Sequence, residues 1–227
     1  MESVAVVIPT FNEVESIGHV IRELPSVGDI IVADGGSTDG TREAARTAGA
    51  RVIEAGRGYG RACHLGAEAA GADCRVIVFL DGDGADRGDL LGQIAGPVLA
   101  GTHDLVLASR TNGQREPGSM LWHQVLAGRV AGWGMGALYG VRYSDMCAFR
   151  AIDREALRRL DMREMTYGWN IEMQMKAARH RLRILEVPLP YRRRMGGKSK
   201  VAGSLRGTLR AGSKIVSTFI RVATQAA

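Results

Sequence analysis

The chain has 227 residues, 45% of them hydrophobic and 24% charged, which excludes wholesale disorder and allows one domain, or one domain with an appendage. Lys and Arg number 30 against 24 Asp and Glu, giving a formal charge of +6 and a pI near 9.6. Three scattered cysteines, Cys63, Cys74 and Cys147, exclude a disulfide framework and a paired-thiolate metal site, and they point to a reducing, cytoplasmic setting.

The first half alternates strand and helix patterns. Residues 4–8 form an apolar run that stops at Pro9, and 13–24 has helical spacing through Val14, Ile17, Val20, Ile21 and Leu24. A second apolar run spans 30–33. A helix over 39–48 follows, with Ser37, Thr38 and Asp39 as candidate caps. A third strand is predicted over 51–55, a third helix over 60–70, and a fourth strand over 75–80. A helix over 89–99 and a strand over 104–108 close the series. Near-continuous apolar runs suit strands buried on both faces, and their alternation with helices predicts a doubly wound, mostly parallel α/β sheet.

The second half is less regular. Helices are predicted over 121–138, 153–160 and 170–179, and a strand over 184–187 ends at Pro188. A basic, glycine-containing loop spans 192–203, and a last helix spans 204–226. This divides the chain into a catalytic domain, 1–203, and a basic amphipathic helix, 204–227. The opening MESVAVVIPTFNE is not expected to be a signal peptide. No apolar stretch nears the roughly 18 residues of a membrane span.

In an open parallel sheet, ligands bind beyond the carboxyl ends of the strands. Those edges read Pro9-Thr10-Phe11-Asn12-Glu13, then Asp34-Gly35-Gly36-Ser37, then Gly56-Arg57-Gly58-Tyr59-Gly60, then Asp81-Gly82-Asp83-Gly84-Ala85-Asp86, then Ser109-Arg110. None carries GxGxxG or GxxxxGK[ST], so neither NAD nor a P-loop nucleotide is expected. Asp81 and Asp83, flanking a glycine past a buried strand, are hard oxygen ligands suited to Mg²⁺ or Mn²⁺ bridging a diphosphate; the alternative is a solvated acidic turn. Asp34 can take hydrogen bonds from a base or ribose, or shape a turn before glycine. Asn12 and Glu13 can begin a helix, bind ligand, or both. Gly58 and its neighbours can let backbone approach a nucleotide, with Arg57 or Arg61 nearby.

Together these edges resemble the family 2 glycosyltransferases of GT-A fold. The matching segments are VVIPTFNE (6–13), IIVADGGSTDGT (30–41), GRGYGRACHLGAEAA (56–70) and VFLDGDGAD (78–86). Later segments, ASR (108–110), DMCAFRA (145–151), WNIEMQMKA (169–177) and VPLPYRRRMGGKSK (187–200), resemble the polyprenyl (dolichyl)-phosphate glucosyl- and mannosyltransferase branch. The resemblance implies a nucleotide-diphospho-sugar donor and inversion at the anomeric carbon. It implies that Pro9, Thr10, Asn12 and Glu13 contact the nucleotide, that Asp34 contacts base or ribose, and that Asp81 and Asp83 serve metal and diphosphate. Mannosyl enzymes commonly carry Gln two residues past the second Asp, where this chain has Ala85. DGDGA is closer to the DADGA of the glucosyl branch, which favours UDP-glucose over GDP-mannose.

A divalent ion on Asp81 and Asp83 would neutralise the leaving diphosphate, so Asp83 is a catalytic candidate. Asp145 is the second: a general base if the acceptor is a hydroxyl, an orienting group if it is a lipid phosphate, or simply a turn residue. Glu172 matches a helix acid of the family, or is a surface charge. No acidic residue follows Glu186, whereas nine basic ones do. Arg110, Arg192, Arg194, Lys198 and Lys200 are the candidate cations for an acceptor phosphate. On the last helix, Leu205, Leu209, Val216, Phe219 and Ile220 oppose Arg206, Arg210, Lys214 and Arg221. That suits an anionic bilayer, with a face packed on the domain or in a homodimer as alternatives. A stretch around 122–139, with Trp133, is a second membrane-facing or packing helix. The expected location is cytoplasmic, peripheral on the inner face of the cell membrane.

Rival readings are a non-catalytic membrane-associated scaffold that binds a sugar nucleotide, and a transferase acting on a soluble or cell-envelope hydroxyl. Nucleic acid is not expected as a partner, because only Tyr191 and Phe219 interleave with the late basic residues. The histidines show no metal-binding spacing, and no nucleophile elbow is present.

Overall fold

The computed structural model describes residues 1–197 and 205–225, so Lys198 and Lys200 lie outside the described residues. Seven strands form one sheet: β1 (Val4–Thr10), β2 (Asp29–Asp34), β3 (Arg51–Glu54), β4 (Val76–Phe79), β5 (Leu105–Ser109), β6 (Arg150–Asp153) and β7 (Ile184–Pro188). Their order is β3-β2-β1-β4-β6-β5-β7. All neighbours pair in parallel except β6, which runs antiparallel to both β4 and β5.

The helices are α1 (Val14–Glu23), α2 (Thr41–Thr47), α3 (Tyr59–Ala69), α4 (Leu91–Leu99), α5 (Trp122–Tyr139), α6 (Arg154–Arg159), α7 (Trp169–Arg179) and α8 (Leu205–Thr224). They cover both faces of the sheet. Successive side chains of a strand point to opposite faces, and β1 obeys this rule. Val4, Val6 and Ile8 pack with Ile17, Val20 and Ile21 of α1 and Ile94 of α4. Ala5 and Val7 pack with Cys63 of α3 and Trp169 of α7. All three cysteines are buried free thiols.

β6 is not among the predicted strands. Its sequence, RAID, has no apolar run and begins with Arg150, which is fully buried. The Arg150 guanidinium donates to the carbonyls of Cys147 and Asn170, so its charge is satisfied inside the fold. Pairing to two neighbours makes this strand, rather than local preference.

The glycines of α5 also have a packing reason. A Cβ on Gly132 would stand 1.8 Å from the Tyr143 carbonyl oxygen, so only glycine lets that backbone approach. α8 lies against α7, with Ala211, Thr218 and Val222 buried. Among the described residues no helix is long and apolar enough to cross a membrane.

Candidate active site

The carboxyl ends of β1 and β2 are laced together. Asn12 sits at φ 52°, a left-handed conformation that Asn tolerates. Its backbone N–H donates to Ser37 Oγ at 2.8 Å, and its side-chain oxygen accepts from the Thr38 N–H at 3.0 Å. The Glu13 N–H donates to Thr41 Oγ1. Asp34 is buried and occupied: Oδ1 accepts from Ser37 Oγ and Thr10 Oγ1, and Oδ2 from the N–H groups of Gly36 and Ser37. It therefore organises its own turn. Pro9 and Thr10 pair with Ala33 and Asp34 across the sheet. Arg57 stacks over the Phe11 ring, 3.6 Å from its centroid. Gly58 has φ 127°, and a Cβ there would lie 2.5 Å from the Met165 carbonyl oxygen.

Beyond β4 three carboxyls gather. Burial and the nearby Asp83 raise Asp81 to about 7. Burial and Asp81 raise Asp86 to about 8. Asp83 Oδ1 accepts from the Ala85 N–H at 3.0 Å. The loop before residue 198 closes over this acidic turn. The Met195 N–H donates to the Asp83 carbonyl and the Arg192 N–H to that of Ala85, both at 2.9 Å. Arg194 joins two edges: its guanidinium donates to both Glu13 oxygens at 3.0 and 2.8 Å and stands 3.5 Å from Asp83 Oδ2.

The cations expected on the acceptor side are spread apart. The Arg192 guanidinium pairs with both oxygens of Glu23 at the end of α1, at 2.9 and 2.7 Å. It also donates to the Asp86 carbonyl. Arg194 stands at Glu13 and Asp83. Of the candidate phosphate cations described, Arg110 alone stands beside Asp145.

That pair is a built unit. Arg110 donates through Nε and Nη2 to the two oxygens of Asp145, both at 2.7 Å, and its backbone N–H adds a third bond at 3.0 Å. The Met146 N–H also donates to Asp145. Burial alone would raise the Asp145 carboxyl, but Arg110 and these N–H groups outweigh it and hold the group below its usual value. The Arg110 guanidinium lies over the Tyr191 ring, 5.1 Å from its centroid.

Three residues were not singled out from the sequence. Asp86 is a buried acid with the Cys147 thiol at 3.7 Å from Oδ1; its place in DGDGAD was visible, its burial was not. Tyr191 lies under Arg110 but precedes a basic run that masks it. Glu164 carried no local signal. It accepts from the Thr166 N–H and from Thr218 Oγ1, and pairs with Lys214 at 3.2 Å. Glu172 is no surface charge: it is fully buried, accepts from the N–H groups of Arg163 and Glu164, and pairs with Lys176 and Arg221. Residues 164–166 press on the donor loop, where Gly60 and Arg61 N–H groups donate to the carbonyls of Thr166 and Met165.

Comparison with known proteins gives this arrangement a family. A model described as Glycosyl transferase family 2 matches residues 5–161. An uncharacterized glycosyltransferase of Mycobacterium tuberculosis is 35% identical over 213 residues, 92% of this chain and 94% of that protein. The undecaprenyl-phosphate mannosyltransferase of Micrococcus luteus is 31% identical over 227 residues, 90% of this chain and 89% of that one. Glucosyl-3-phosphoglycerate synthase from Mycobacterium tuberculosis, solved with Mn²⁺, UDP and phosphoglyceric acid, shares the fold at a TM-score of 0.75 and 20% identity, over 100% of this chain and 80% of that one. The donor edge, the acidic turn and a match over most of the chain agree: this protein is a glycosyltransferase of GT-A fold and belongs to glycosyl transferase family 2.

Proposed function

We propose that the enzyme transfers a hexose from a nucleotide-diphospho-sugar, UDP-glucose by preference, to a polyprenyl phosphate, with inversion at the anomeric carbon. The observation that carries this reading is the Arg110–Asp145 pair. A hydroxyl acceptor must lose a proton, and Asp145, held ionised by four hydrogen bonds, is a weak base. A phosphate acceptor is already anionic and needs only a fixed cation, which Arg110 supplies. The M. luteus relative, named for undecaprenyl phosphate, supports the same acceptor class. Its name also supports a second donor, GDP-mannose, against the UDP of the solved structure and the DGDGA turn.

The donor set fits a divalent ion. Asp81 and Asp83 supply hard oxygens, and burial with mutual repulsion makes Asp81 costly to ionise without a counter-charge. Among the described residues no group of three His, Cys, Asp or Glu forms a complete metal cage. Mg²⁺ and Mn²⁺ commonly take only one or two carboxylates and fill the rest with water and substrate phosphate. When bound there, the ion supplies charge neutralisation on the departing diphosphate. In the reaction an acceptor phosphate oxygen forms the new bond to the anomeric carbon as the bond to the diphosphate breaks. No proton moves. Arg110 holds the acceptor, Asp145 holds Arg110, and the loops at Asn12 and Gly58 hold the nucleotide. The expected location is peripheral, on the inner face of the cell membrane.

The test is calorimetric titration with UDP-glucose and GDP-mannose, each with and without Mn²⁺, followed by transfer assays on undecaprenyl phosphate. Metal-dependent binding of one donor, lost in Asp83→Ala, and product on the lipid phosphate are expected. Transfer to a soluble hydroxyl acceptor without any polyprenyl phosphate would overturn the acceptor.

A further inference from the structure

α8 turns a charged stripe inward. It carries no acidic residue. Lys214, Thr218 and Arg221, at i, i+4 and i+7, share one side of the helix and meet two carboxylates of the domain. Thr218 Oγ1 donates to Glu164 Oε2 at 3.1 Å, and Lys214 Nζ stands 3.2 Å from the same oxygen. The Arg221 guanidinium lies 3.2 Å from Glu172 Oε1 and 3.6 Å from Glu164 Oε2, so one cation serves both acids. Glu164 is 4% exposed and Glu172 is fully buried. Burial alone would raise the Glu164 carboxyl, but Thr166 and Lys214 outweigh it and hold the group below its usual value. Among the described residues, both cations paired with Glu164 come from α8. The approach is close: a Cβ on Gly168 would stand 2.3 Å from Thr218 Oγ1.

The other side of Glu164 leads to the loop after β3. Its Oε1 accepts from the Thr166 N–H at 3.0 Å and from Thr166 Oγ1 at 2.5 Å, which fixes the turn 164–166. That turn caps α3. The first N–H groups of a helix have no partner within it. Here the Gly60 N–H donates to the Thr166 carbonyl at 3.2 Å, and the Arg61 N–H to the Met165 carbonyl at 2.9 Å. A Cβ on Gly60 would lie 2.2 Å from the Glu164 carbonyl oxygen, so the two backbones are in contact. Arg61 also donates through Nε to the Ala55 carbonyl at 2.8 Å, which ties the two ends of the Gly56–Gly60 loop together. An unbroken series of hydrogen bonds thus runs from Thr218 through Glu164 and Thr166 to Gly60.

We propose that α8 is a clamp on the donor loop, in which Lys214, Thr218 and Arg221 act through Glu164 and the turn 164–166 as positioning residues for Gly56–Arg61. The proposal deepens the donor reading and rests on it for its purpose. Docked, the helix holds the loop in one conformation. Released, it leaves two buried carboxylates short of positive charge and the cap of α3 without its brace.

The test is amide hydrogen exchange on the full chain without ligand, with calorimetric titration of UDP-glucose and GDP-mannose, each with Mn²⁺, in parallel. Thr218→Val removes the hydroxyl, Thr218→Ser keeps it, and Arg221→Met removes the shared cation. In Thr218→Val and Arg221→Met the Gly60 and Arg61 amides exchange about tenfold faster relative to those of the central strand β1, which report global unfolding. Donor Kd rises roughly fivefold while kcat at saturating donor holds, and Thr218→Ser matches the wild type on every readout. Unchanged exchange at Gly60 and Arg61 in both variants overturns the proposal. So does a rise shared equally by β1, which is plain loss of stability, or faster exchange with undiminished donor affinity. A wild type that binds neither donor, with Gly60 and Arg61 still freed in the variants, rejects the donor reading and upholds the clamp. Donor binding with exchange unmoved in both variants rejects the clamp alone.

Discussion

The half of the molecule from β1 to β4 and the half after β5 are built on different principles. From β1 to β4 the candidate site residues stand at the carboxyl end of a strand or in the loop after it, and the sheet itself sets the spacing. Asp34 and Thr10 are register partners, and Asp81 stands two residues past the end of β4. After β5 the structure is tied by long-range pairs instead: Arg110 with Asp145, Arg192 with Glu23, Glu164 with Thr218. Regular βα units make a nucleotide site that a short motif can announce. Pairs between distant segments depend on tertiary contacts that no local pattern displays.

Substitutions on the two sides should therefore fail differently. The largest effect is expected from Asp83→Ala, which removes a ligand oxygen and leaves the sheet intact. Transfer should fall about a thousandfold, with the melting temperature nearly unchanged. On the acceptor side, Asp145→Asn leaves a buried guanidinium with a weakened partner. Denaturant melts should show a loss of about 3 kcal/mol, and kcat/KM for the lipid phosphate should drop while donor binding holds. Glu164→Gln tests the link between the halves. Stability should fall by about 2 kcal/mol, and donor KM should rise several-fold with acceptor KM unchanged, because residues 164–166 brace Gly60 and Arg61. If acceptor KM moves instead, the halves are not joined at that point.

A fourth prediction concerns pH. The Asp86 pKa stands above its usual 3.8, at about 8, so its contribution to stability is full below about pH 4 and is lost as pH rises towards 8. Asp145 and Glu164 are held below their usual values, so their contributions are already complete above about pH 5. Melting temperature should decline between about pH 5 and 8, and Asp86→Asn should flatten that slope. The smallest effect is expected from Arg192→Ala, a partly exposed pair worth about 1 kcal/mol, with little change in turnover.

The sequence made the six parallel strands legible because buried β strands read as apolar runs, RVIVFL above all. It hid β6 because a buried arginine inside RAID imitates a surface segment. Asp81 and Asp83 were legible as hard ligands after a strand. The partner of Arg192 was not legible, because composition shows that a residue is cationic, and not which carboxylate it meets. Only the fold brings Glu23, 169 residues away, to its guanidinium. Glu172 was left between two readings for the same reason: its helix position was visible, while the neighbours that bury it were not.

Arg194 has a consequence for how affinity should be understood. Its guanidinium spans Glu13 and Asp83, so a cation arriving at that carboxylate meets one already partnered. A divalent ion held by Asp83 would compete with the Arg194 guanidinium for that carboxylate. Measured donor affinity is then a difference between two ionic states, smaller than either. Arg194→Ala should tighten metal binding even where it slows the reaction.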